Sequence, residues 1–170
     1  RTWANLEQVA YFKSLQESGK EVWFYICEKR MTQSLYRYYR LHAWRAYARK
    51  LDGMGMWEYI GGPGGLIGAD SWKVAQRGPL VYRSFDEVIP SIRYECLREG
   101  IDDIKYLIKL EELIALSKEQ GINNALIQQA ETFLNKEPQK VIQQSADETY
   151  AENVRQKAAD YIRELQKLFN

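Results

Sequence analysis

Glu58 interrupts an apolar run, Met56-Trp57-Tyr59-Ile60, at what reads as the C-terminal end of a strand. A carboxylate beside an indole can have a raised pKa and act as acid or base, or accept hydrogen bonds from sugar hydroxyls. An ion pair with Arg30 or Arg77 is the plainer account of Glu58 and outweighs catalysis. Trp57, Tyr59 and Trp72 suit an aromatic platform for sugars, but alternate strand residues face a core, so only part of the set can serve. His42, the single histidine, has no Ser or Cys nucleophile arrangement around it and reads as a packed or capping residue. Glu95, Glu99, Asp102 and Asp103 lie three and four residues apart on one helix. With Arg93 and Arg98 interleaved, they read as an ion-pair network and not a metal site.

The elements that must position these residues begin with a helix expected over Leu6–Glu17 and stopped by Ser18-Gly19. VWFYIC, Val22 to Cys27, reads as a buried strand. A helix from about Ser34 to Leu51 packs an apolar face, Asp52-Gly53 breaks it, and Gly55–Ile60 is the next strand. A helix between two such strands predicts a βαβ crossover with parallel strands. Its site edge would collect Cys27, Glu28, Lys29 and Arg30 with Trp57, Glu58 and Tyr59. The loop Gly61–Gly68 lacks the Lys-Ser/Thr of a phosphate-binding loop and reads as flexible or ligand-covering. LVYRS reads as a last strand. A long helix then starts at Pro90-Ser91, with Gly100 permitting close packing or a kink. A helix over Asn123–Asn135 should end before Pro138, and Ser145 with Glu148 resembles a capping box for a final helix running to Phe169.

The 170 residues carry 24 basic and 23 acidic side chains, so no overall field draws nucleic acid or a membrane surface. Basic and aromatic residues mix over Tyr36–Arg45, but at helical spacing the aromatics fall on packed faces and the arginines on solvent. Twelve Tyr and five Trp lie mostly in the first 110 residues, as in a sugar-stacking surface or a well-packed core. Cys27 and Cys96 have no framework spacing, so neither a disulfide scaffold nor a zinc site is expected, and no cofactor is called for. The chain reads as a piece of something longer.

The run PSIRYECLREGIDDIKYL (Pro90–Leu107), with KEVWFYIC and WRAYARKLDGMGMWEY, resembles the C-terminal part of the catalytic domain of glycoside hydrolase family 123-like proteins, the domain-of-unknown-function 4091 family. The resemblance covers about residues 1–116 and implies an α/β fold, the C-terminal portion of a (β/α)8 barrel, with residues 117–170 a helical hairpin appendage. It implies a secreted or periplasmic protein acting on carbohydrate, in some members terminal β-linked N-acetylgalactosamine, by substrate-assisted hydrolysis with an Asp-Glu pair. No such adjacent pair is expected at a strand end: Asp102-Asp103 and Asp147-Glu148 lie on or open helices and Glu111-Glu112 is mid-helix. The chain is therefore expected to be the wall of a site without its acid, inactive alone. Trp57, Glu58 and Tyr59 would line the sugar pocket, with Arg30 and Trp72, and Arg93, Glu95, Arg98 and Asp102 would latch the closing helix. Open sheet edges would invite a second copy or the missing barrel. Two rivals are a non-enzymatic carbohydrate-binding module using Trp57 and Trp72, and a structural helical module centred on residues 90–170.

Overall fold

The computed structural model describes residues 6–26, 33–56, 59–60 and 79–169. Cys27–Arg30, Trp57, Glu58, the loop Gly61–Gly68, Trp72 and Arg77 lie outside the described residues. Helix α1 spans Leu6–Glu17 as expected, and Gly19 turns the chain at φ +80. Gln16 in its last turn ties it down, donating to the Lys50 carbonyl at 2.8 Å and to Asp52 Oδ2 at 2.9 Å. The same Asp52 carboxylate accepts the Val22 backbone N–H at 2.7 Å, which sets the start of strand β1, Trp23–Ile26.

The expected crossover helix forms in two parts. A π-helical segment, Leu35–Arg40, is capped by Ser34, whose side chain accepts from the Arg37 N–H. Its wider turn buries Tyr36, Tyr38 and Tyr39 before the chain continues as α2, Leu41–Ala48. Strand β2, Gly53–Met56, pairs in parallel with β1, with Trp23 opposite Gly53 and Tyr25 opposite Gly55. The second strand thus starts at Gly53, which was expected to be only a breaker, and Ile60 then bridges Val81 in parallel. Strands β3, Val81–Arg83, and β4, Val88–Pro90, form an antiparallel hairpin. Ser91 caps α3, Ile92–Glu119, by accepting the N–H groups of Arg93 and Tyr94.

Helices α4, Ala125–Gln143, and α5, Tyr150–Gln166, follow, with a 3₁₀ turn over Lys167–Phe169. Helix α4 runs through Pro138 instead of ending before it. Proline removes one helical donor, but Pro138 and Val141 are both buried and the apolar face continues past them. The final helix opens at Tyr150 and not at Ser145; Asp147 Oδ1 organises the turn, accepting the Thr149 N–H at 2.9 Å and its hydroxyl at 2.7 Å.

An α/β barrel portion does not form: the described residues are mostly helical, and their strands make two sheets of two strands each. The strands are three or four residues long, too short to wall a barrel, and the largest buried cluster lies between helices. Leu107, Leu110, Leu113 and Ile114 of α3 meet Ile127, Ala130 and Val141 of α4 and Ala151, Val154, Ala158 and Leu165 of α5, with Trp44 of α2. Each fully buried leucine here contributes roughly 1.5–3 kcal/mol. A smaller cluster joins Ile26, Tyr38, Tyr39, Leu80 and Val81 beneath the sheets. No helix among the described residues is long and apolar enough to cross a membrane.

Candidate functional site

Strand β1 is not buried on both faces. Val22 and Ile26 are buried and Phe24 is half-buried, whereas Trp23 is 62% and Tyr25 66% exposed, a period of two that sends both large aromatics to one face. The strand beside them is Gly-Met-Gly-Met. A Cβ on Gly53 would overlap the six-membered ring of Trp23, so the indole lies against bare backbone. At Gly55 a Cβ would meet Tyr25 Cβ at 3.4 Å, ordinary contact. Trp23 Nε1–H donates to Glu21 Oε2 at 3.0 Å, which fixes the indole's orientation and leaves a carboxylate at the rim. A flat aromatic surface with an adjacent acceptor suits a ligand that has both C–H faces and hydroxyls.

Of the residues expected to line a sugar pocket, Tyr59 is described; Arg30, Trp57, Glu58 and Trp72 are not. Tyr59 is half-exposed, its ring edge-on to Tyr94 at 6.5 Å, and its carbonyl accepts the Val81 N–H at 3.0 Å. The buried Arg93 bonds the Tyr39 side chain, whose pKa burial nevertheless raises. An Asp-Glu pair that the sequence reading passes over, Asp86-Glu87, lies in the turn between β3 and β4. Both side chains are exposed, beside the exposed Phe85.

The charged stripe of α3 divides in two. Arg98 pairs with Glu95 at 2.8 Å and Asp102 at 3.0 Å on the exposed side, as an ion-pair network should. Asp103 turns inward and has no exposed surface. Arg40 Nε donates to Asp103 Oδ2 at 2.8 Å and its terminal nitrogen to Oδ1 at 2.9 Å, while Trp44 Nε1 donates to Oδ2 at 2.9 Å. Arg155 of α5 completes the cluster, reaching Glu99 at 3.0 Å, Glu152 at 2.6 Å and Asp103 at 3.4 Å. Burial pushes the Asp103 carboxyl up and the Arg40 and Trp44 bonds pull it down; the charged form stands, because every group on its oxygens is a donor. Burial works against the Arg40 charge too, and its bonds to Asp103 and Glu152 outweigh that and raise it. Glu152 is held down to about 2, chiefly by Arg155. Glu99, Asp103 and Glu152 offer oxygens within 4.8 Å of one another, but two guanidiniums already occupy that arrangement. The cluster is a latch centred on the buried Asp103 that joins the π-helical segment, α3 and α5.

That latch differs from the expected one: Asp103 with Arg40 carries it, while Asp102 and Arg98 stay at the surface, and Arg40, expected in solvent, is only partly exposed. Trp23 and Tyr25 were likewise missed as a surface. Their signal is the match of alternating aromatics on one strand with alternating glycines on the next. Comparison with protein-family models, curated proteins and solved structures finds no match for this chain.

Proposed function

We propose that this chain is a carbohydrate-contacting segment of a glycoside-hydrolase-like protein, offering sugar an aromatic sheet face and leaving the acid of hydrolysis to residues outside it. The observation that carries the reading is the pair Trp23 and Tyr25, both well over half exposed, side by side over Gly53 and Gly55. Contiguous exposed aromatics cost a monomer solubility and mark a binding surface. Gly53 beneath the indole and Gly55 as the register partner of Tyr25 keep the face flat enough for a pyranose to lie on the indole, and the Glu21 carboxylate is placed to accept from a ring hydroxyl. The resemblance of Pro90–Leu107 to glycoside hydrolase family 123-like proteins supplies the substrate class, N-acetylgalactosamine-containing glycan. No cofactor enters this reading.

Calorimetric titration with N-acetylgalactosamine, galactose, glucose and a β-linked N-acetylgalactosaminide tests it. Millimolar or tighter binding of the N-acetylated sugars, lost in Trp23→Ala/Tyr25→Ala while the fold is kept, is expected. Binding unchanged in that variant would remove the sheet face from the account. No binding by the wild-type chain would favour the same face as a contact for protein.

A further inference from the structure

His42 is the chain's single histidine, and none of its surface reaches solvent. Its ring sits between α2 and the β1–β2 pair. Nε2 lies 2.7 Å from the Gly55 carbonyl oxygen, and the Phe24 ring packs on it at a centroid distance of 4.6 Å. A carbonyl can only accept, so Nε2 carries a proton, and burial of the ring favours the neutral Nε2–H tautomer. Nδ1 is left with a bare lone pair and has no hydrogen-bond partner among the described residues.

The position therefore tolerates one state of the ring. A second proton would turn Nδ1 into a donor without an acceptor and bury a charge that no described residue around the ring neutralises. Arg45, on the same helix, adds repulsion, while Phe24 from β1 and Gly55 from β2 bring no charge. Those two residues belong to the strands that display the aromatics: Gly55 is the register partner of Tyr25, and Phe24 lies between Trp23 and Tyr25.

We propose that His42 is an acid-operated latch on the β1–β2 pair: when Nδ1 takes a proton, the ring leaves its seat and the sheet displaying Trp23 and Tyr25 opens. The device is a property of the sheet and does not depend on what the aromatic face binds. Acid acts on it with a definite sign. Burial, opposed by the Gly55 bond and helped by Arg45, lowers the ring pKa to about 4 from an ordinary 6.5. The opened state thus binds the proton more tightly, and closure is complete above pH 6.5 and lost as pH falls toward 4.

With one histidine, its ring ¹⁵N resonances are unambiguous. We expect them to report the Nε2–H tautomer at pH 7. Between pH 7.5 and 5, exchange protection of the Tyr25 and Gly55 amides should fall about thirtyfold, the ratio that pKa values of 6.5 and about 4 give. His42→Gln retains a donor for the Gly55 carbonyl but cannot ionise, and should hold that protection constant over the same range. A ring that titrates at 6.5 or above with sheet protection unchanged would overturn the proposal, as would the same acid loss in His42→Gln. Should His42→Gln not fold, the ring titration of the wild-type chain decides alone.

Discussion

Asp103 has no exposed surface, yet two guanidiniums and an indole N–H converge on its carboxylate. Removing Arg40 takes two of the hydrogen bonds from a fully desolvated carboxylate, which costs more than the pair itself is worth. Arg40→Met is therefore expected to lose about 3–5 kcal/mol of stability in urea denaturation. Arg40→Met/Asp103→Leu should lose clearly less than the sum of the two single variants, and strict additivity would contradict a coupled latch. Glu152 adds a pH dependence. Its folded pKa of about 2 lies below the ordinary 4.5, so its contribution is fully present above pH 4.5 and is lost as pH falls toward 2. After solvent screening this amounts to about 2 kcal/mol, and Glu152→Gln should flatten the acid limb of the stability curve by that amount. An acid limb identical to the wild type would place the sensitivity elsewhere.

At the scale of elements, Gly100 sets how closely α3 approaches the π-helical segment. A Cβ there would collide with the Arg40 backbone carbonyl, which cannot swing aside as a side chain could. Helix propensity favours alanine over glycine by about 1 kcal/mol, but the collision acts the other way and also shifts Arg40 from Asp103. Gly100→Ala is expected to destabilise by a net 1–3 kcal/mol or so, read from the denaturation midpoint; a more stable variant would show that the approach is loose. The close-packing role of Gly100 was legible from its place inside a long apolar-periodic helix, as were α1 and the Ser91 cap. The end of α4 was not, because burial of Pro138 and Val141 overrides a local stop signal. The inward turn of Asp103 was equally hidden. Its neighbours Glu99 and Asp102 have the same chemistry, and the partner that distinguishes it, Arg40, lies 63 residues away.

Over the whole molecule the parallel pairing of β1 with β2 was legible and the barrel was not. Pattern identifies a strand-helix-strand unit, but the number of strands that gather around it depends on contacts between distant segments. Here the apolar stripes of α3, α4 and α5 close on one another and hold the larger core. The aromatic face is the surface this arrangement leaves to solvent on β1, and Trp23→Ala, which removes an exposed ring, should change stability by no more than about 0.5 kcal/mol while abolishing sugar binding. The most direct measurement is an amide and indole chemical-shift titration of the chain with a β-linked N-acetylgalactosaminide. The account predicts perturbations centred on the Trp23 indole N–H, Tyr25, Gly53 and Gly55. Perturbations that leave these four untouched, or none up to tens of millimolar sugar, would contradict it.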